Sequence, residues 1–164
     1  MLKAITLLQP WATLLATGDV TFDLRDYEVV YRGPIAVHAG TRLHGIDAAA
    51  GDARIEAALA ARGATLDSLP LGGIVGVGAL ADCVPVRELA EGVKDGDLLL
   101  SSRRGQYALR FTHMRRLDRP IPAAGRGMLW SVPDAAERHL RASIDPAIGA
   151  PRYVRAGDIG AVAL

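Results

Sequence analysis

Apolar positions along this chain fall in short runs, alternating or nearly continuous, rather than in long helical stripes. Residues 2–8, Leu-Lys-Ala-Ile-Thr-Leu-Leu, read as a first strand. Pro10 follows where a helix can begin, because its missing N–H would be an orphan at the first helical position anyway. Trp11 to Thr17 supplies two short turns, and Gly18 is placed to cap them. Thr21 to Arg25 and Ile35 to His38 read as short strands, separated by a polar loop that ends in Gly33-Pro34. Residues 46–62 are Ala-rich, with Ile55 and Leu59 on one side at i,i+4, which predicts a helix capped by Gly63.

The second half is richer in strand patterns. Gly72 to Val84 is a long apolar run studded with glycine, and Val86 to Ala90 fits one helical turn. Tyr107, Leu109 and Phe111 alternate with Ala108, Arg110 and Thr112, the period of a strand with one buried face. Pro120-Ile-Pro122 forces an extended segment, and Gly125 and Gly127 precede a short strand at Met128 to Trp130. Asp134 to Ala142 is a final amphipathic helix. Strands outnumber helices and are unevenly spaced. The expectation is an α+β fold, a small mixed β-barrel with flanking helices, rather than a βαβ series.

Composition narrows the class. A chain of 164 residues, half of them apolar, has the length and core material of a single domain. The one cysteine, Cys83, excludes a disulfide scaffold and any multi-cysteine metal site, and it reads as a small buried apolar residue. A reducing, cytoplasmic setting is the expectation. Lys3 precedes an apolar stretch, but Gln9-Pro10 breaks it too early for the ~7–15-residue core of a signal peptide. The longest apolar run, Ile74 to Ala81, is far short of the ~20 residues that span a bilayer, so no membrane association is expected.

Cofactor and metal chemistry find little footing. The glycines at 73, 76 and 78 run G-x-x-G-x-G, the reverse of the dinucleotide fingerprint, and no G-K-[ST] follows. Glycine inside a strand marks a bend or a close backbone approach instead. His38, His44, His113 and His139 have no metal-ligand spacing. The expectation is no cofactor and no metal.

Charge is unevenly spread. Net charge is only +1, yet residues 1–82 hold six basic and nine acidic side chains, and residues 83–164 hold thirteen and nine. Between 103 and 126 stand seven arginines against one acid, Asp118. Arg103, Arg104, Arg110, Arg115 and Arg116 are thereby candidate contacts to a nucleic-acid backbone. The alternative is a compositional bias, since the chain carries seventeen arginines and two lysines throughout.

Two constellations carry candidate chemistry. One is Gln9-Pro10-Trp11, an amide and a large aromatic at a strand-to-helix turn. The other is Gly18 to Arg25, followed by Tyr31-Arg32-Gly33 and His38. On an extended strand Thr21, Asp23 and Arg25 share a face, which sets a carboxylate beside a guanidinium. Such a pair can read a base edge or hold a phosphate, with Trp11 or Tyr31 as a stacking plane. Spacing alone favours a plainer reading, a surface ion pair worth ~0–1 kcal/mol and a tryptophan in the core.

Leu8-Gln-Pro-Trp-Ala12, Gly18-x-x-x-x-Asp23-x-Arg25, Tyr31-Arg-Gly33, His38-Ala39 and Gly127-Met-Leu-Trp130 together resemble the ASCH domain, a relative of the PUA domains. The similarity spans roughly residues 1–133, with a helical insertion near 46–63 and a less familiar tail from about 145. The resemblance implies one PUA-like barrel over 1–164 that binds single-stranded RNA or a modified nucleoside. The ligand residues it implies are Gln9, Trp11, Thr21, Asp23, Arg25, Tyr31, Arg32 and His38, with Trp130 as a further wall or as core. Some ASCH members are hydrolases of modified nucleosides or RNA, and in that alternative Asp23 would be the catalytic acid/base. The family's G-x-K-x-x-E-x-R motif is altered here, however. Val20 stands at the lysine position and Asp23 at the glutamate. Valine can act neither as a base nor as a charged partner.

Overall fold

The computed structural model describes residues 1–99 and 104–155. Its centre is a mixed sheet curled into a half-barrel. The strands are β1 (Lys3–Leu7), β2 (Phe22–Arg25), β3 (Tyr31–Ala39), β4 (Gly73–Pro85), β5 (Tyr107–Pro122), β6 (Leu129–Ser131) and β7 (Arg152–Tyr153). They lie in the order β2-β5-β4-β3-β1-β6, with β7 against the start of β3. The pair β1–β3 is parallel and the other pairings are antiparallel. Around the sheet pack α1 (Trp11–Thr17), α2 (His44–Ala49), α3 (Ala53–Ala60), α4 (Glu91–Gly96) and α5 (Asp134–Leu140). The α+β class expected from the pattern is the class observed. Among the described residues no helix is long and apolar enough to cross a membrane.

Through β1, β3 and β4 the sheet is buried on both faces, and strand alternation divides its side chains between two cores. Ile5 and Leu7 of β1, with Ile35 and Val37 of β3, join Trp11, Leu14 and Leu15 of α1 in the larger one. Leu2, Ala4 and Ala36 face the other way, onto Trp130, Val132 and Leu140. Helix α1 lies directly on β4, and a Cβ at Gly76 would stand 2.6 Å from the Cβ of Ala16. That contact is the close approach the strand glycines predict. Gly18 ends α1 in the left-handed conformation, φ 78°, its N–H bonded back to Leu15 O at 3.1 Å.

Element boundaries depart from the expectation in three places. The predicted helix over 46–62 is two helices, because Gly51 takes φ +84° and the Asp52 side chain accepts from Arg54 N to start α3. Strand β3 begins at Tyr31 rather than Ile35. Pairing with β1 starts only at Ile35, so Pro34 sits where β3 has a free side and a proline is tolerated. Third, β5 runs unbroken over sixteen residues, absorbing both the alternating segment and Pro120-Ile-Pro122. Register shifts against β4, and a positive φ of 53° at His113, take up its twist.

Candidate functional site

At one end of the half-barrel, β1, β2 and β3 converge on a cleft of about 370 Å³. Thr6, Arg25, His38, Arg42, Gly125 and Arg126 contribute to its walls. Strand register sets Thr6 beside His38. Arg25, the last residue of β2, reaches across and donates from Nη2 to the Thr6 carbonyl at 2.9 Å. Its Nε donates to Asp23 Oδ2 at 2.6 Å. The Asp23–Arg25 juxtaposition expected from strand periodicity therefore exists, but it is not a surface pair. Asp23 is 1% exposed, behind the guanidinium. Burial works against the Arg25 charge, yet Asp23 and Tyr27 outweigh it and hold its pKa above the ordinary arginine value. The remaining part of the guanidinium fork faces the cleft.

His38 forms the rear of the same cleft. Its Nε2 lies 2.9 Å from the Ala123 carbonyl, which can only accept, so Nε2 carries the proton. Burial pushes its pKa down, against the smaller raising effect of that bond, which favours the neutral ring. Nδ1 is then an acceptor, and among the described residues it has no partner. Trp130 stacks edge-on against the ring at 5.6 Å and donates from Nε1 to Thr6 Oγ1 at 3.0 Å. Thr6 Oγ1 in turn donates to the Arg126 carbonyl at 3.0 Å, tying the 123–128 loop down. No Cβ fits on Gly125, since it would come within 2.4 Å of His38 Cε1. Trp130 is a core residue, packed behind His38 and bonded to Thr6.

The other expected ligand residues lie elsewhere. Gln9 is fully buried and consumed: its Oε1 accepts from Thr13 N at 3.1 Å, and its Nε2 donates to Thr13 Oγ1 and the Pro70 carbonyl. Trp11, 6% exposed, is part of the larger core, so its ring offers no open stacking plane. Tyr31 is also core, with its hydroxyl donating to the Pro34 carbonyl and its ring edge-on to Tyr153. Burial, with Tyr153 adding to it, pushes its phenol up to about 12. Thr21 precedes β2 and is exposed, and both its N and Oγ1 donate to Asp97 Oδ2. Arg32 is buried at the far end of β3, roughly 20 Å from His38 at ~3.3 Å per residue. Val20 is core as well.

Of the arginine block, Arg103 lies outside the described residues. Arg104 is exposed, Arg115 and Arg116 stand exposed on the outer half of β5, and Arg110 is part-buried near Arg32. Cys83 is buried as expected, accepting from Val29 N at 3.4 Å, and burial raises its pKa. Sequence reasoning missed Thr6, Tyr27, Arg42, Gly125 and Arg126 as site residues. Only Gly125-Arg126-Gly127, flanked by prolines and a tryptophan, carried a local signal, that of a tight loop.

Comparison with solved structures finds this half-barrel similar to ASCH proteins. One is an ASCH structure from Zymomonas mobilis, 14% identical, covering 87% of this chain and 97% of that one with a TM-score of 0.47. Another is a single-substitution variant of ZmASCH from the same organism, 16% identical, covering 93% of this chain and 89% of that one, with a TM-score of 0.39. No family model matches the sequence, and no curated protein does.

Proposed function

We propose that this chain is a PUA-like binding module of the ASCH type, holding single-stranded RNA or a modified nucleoside in the Arg25–His38 cleft. The observation that carries the reading is an anchored guanidinium, Arg25, in one cleft with Arg42, Arg126 and the neutral ring of His38. Arg25 supplies fixed donors for a phosphate or a carbonyl. His38 walls the rear of the cleft with a neutral ring, its Nδ1 edge covered by Gly125. Arg42 and Arg126, both exposed at the rim, suit flanking phosphates. Exposed Arg115 and Arg116 extend a basic surface along β5.

Binding is favoured over hydrolysis by the cleft's own chemistry. Among the described residues that line it there is no carboxylate and no lysine. Asp23, the one candidate acid/base, is buried against Arg25.

The test is a short end-labelled single-stranded RNA run on native and denaturing gels at two salt concentrations. A shift that weakens with salt, without cleavage, is expected, because phosphate contacts release counterions. The fold-safe rim variant Arg42→Ala/Arg126→Ala should weaken it several-fold. Absence of any shift, with equal absence of binding to free modified nucleosides, would overturn the reading. Cleavage by the wild type would replace it with the hydrolytic one.

A further inference from the structure

A second cavity, of about 280 Å³, lies at the opposite end of β3, between β3, β4, β5 and the tail segment 147–152. Its charged lining is Arg32, Arg110 and Arg152 against one carboxylate, Asp82, with His113 beside them. None of these belongs to the Arg25–His38 cleft.

The guanidiniums are unequal. Arg32 is 1% exposed and largely spoken for: Nη1 donates to the Val29 and Tyr31 carbonyls, and Nη2 donates to the Cys83 carbonyl and faces Asp82 Oδ1 at 3.5 Å. Its Nε, though buried, has no partner among the described residues. Arg110 Nε is in the same condition, shielded from solvent and unbonded. Asp82 Oδ1 is also shared, accepting from Cys83 N at 2.8 Å. One partly committed carboxylate therefore faces three guanidiniums, and two buried N–H donors are unsatisfied. A buried donor without an acceptor costs about 1–3 kcal/mol, so a site holding two of them is built for something that accepts.

The walls are fixed. Strand β7 pairs with Tyr31 and Arg32, and Gly33, φ +135°, lets Pro151 pack so closely that a Cβ there would lie 2.9 Å from its Cα. His113 adds Nδ1 against Thr112 Oγ1 at 3.1 Å, and its Nε2 is 4.0 Å from Asp145. Asp145 is not among the described residues that line the cavity.

We infer that this cavity is an oxyanion site for a phosphate group, held by Arg110 and Arg152 with the buried Arg32 behind them. Its volume of about 280 Å³ admits a phosphate with a few waters. The donor set suits a tetrahedral anion, since guanidinium forks match phosphate oxygens. The group is either inorganic phosphate or the phosphate of a nucleotide chain, and this assignment stands independently of the ligand in the Arg25–His38 cleft.

Calorimetric titration of the full chain tests it, with inorganic phosphate in one arm and a short single-stranded RNA, with or without a 5′-phosphate, in the other. Saturable phosphate binding at one site is expected, weakened at least about tenfold by Arg110→Gln. Arg152→Gln, on the exposed tail, should weaken it several-fold, and it carries the test if Arg110→Gln does not fold. Arg87→Gln, which removes an equal charge from an exposed helical turn elsewhere, should leave it unchanged. Tighter binding of the free ion assigns the site to inorganic phosphate, and tighter binding of 5′-phosphorylated RNA assigns it to a chain end. No saturable binding in either arm would overturn the inference. So would a loss in Arg87→Gln equal to that in the cavity variants, which would mark diffuse charge.

Discussion

His38 is the residue through which the cleft responds to pH. Burial depresses its folded pKa below the ordinary 6.5, so the fold favours the neutral ring. Its contribution to stability is whole above the ordinary value and is lost as pH falls from there through the lower folded one. The melting temperature should therefore drop from neutral pH to about pH 5, and His38→Asn should flatten that drop. Asp19 and Glu137, whose pKa values are lowered, add their own losses at more acidic pH. An unchanged melting profile in His38→Asn would remove the histidine from this account. RNA affinity should change over the same window, since protonation puts a positive charge at the rear of the cleft.

Arg32 makes the complementary case. Removing it in Arg32→Met takes the nearest cation from Asp82 and leaves the Val29, Tyr31 and Cys83 carbonyls without its donors, at a cost of about 1–3 kcal/mol in chemical denaturation. Residue identities were legible in the sequence at this scale, but their depth was not. Asp23 and Arg25 pair as strand periodicity requires, yet nothing local shows that the pair is buried. Trp11 looks like a stacking platform only until α1 is laid against the sheet.

Among elements, the packing of α1 on β4 sets the tightest constraint. Gly76→Ala would press a methyl within 2.6 Å of Ala16, and overpacking of this kind should destabilise by about 1–3 kcal/mol in a urea titration. The 123–128 loop is the other sensitive piece. Gly125→Ala forces a carbon into the His38 ring, so the loop must lift from Thr6, and RNA affinity should fall while the melting temperature changes little. A wild-type affinity there would show that the loop does not shape the cleft. Strand identities were readable from alternation, and α1 from its proline and glycine punctuation. The break at Gly51-Asp52 was also present in the sequence, masked by alanine-rich periodicity running through it. The length of β5 was not readable. Its outer half is arginine-rich and largely exposed, held by pairing with β4 and by half-buried Leu117 and Ile121 against the second core.

For the whole molecule, the sheet order decides which charges meet. β2 lies at one edge, yet the curl of the half-barrel brings Arg25 onto the Thr6 carbonyl of β1. The same β3 that delivers His38 to this cleft carries Arg32 to the other cavity, which splits a constellation that is contiguous in sequence. Only tertiary curvature contains that information, so neither motif nor periodicity could supply it. Of the residues named from the likeness to ASCH motifs, Arg25 and His38 line the cleft, while Trp11 and Tyr31 belong to the core.

In the proposed function Arg25 is the anchor for the RNA backbone. Arg25→Ala alone would strand buried Asp23, so the cleaner variant neutralises both partners at near-constant shape. Fluorescence anisotropy of a short labelled single-stranded RNA should be measured across a salt series, for wild type and for Asp23→Asn/Arg25→Gln, with melting curves to show that both are folded. The variant is predicted to bind at least about tenfold more weakly, with its salt slope reduced by about one phosphate contact. A folded variant whose affinity and salt slope match the wild type would contradict the account.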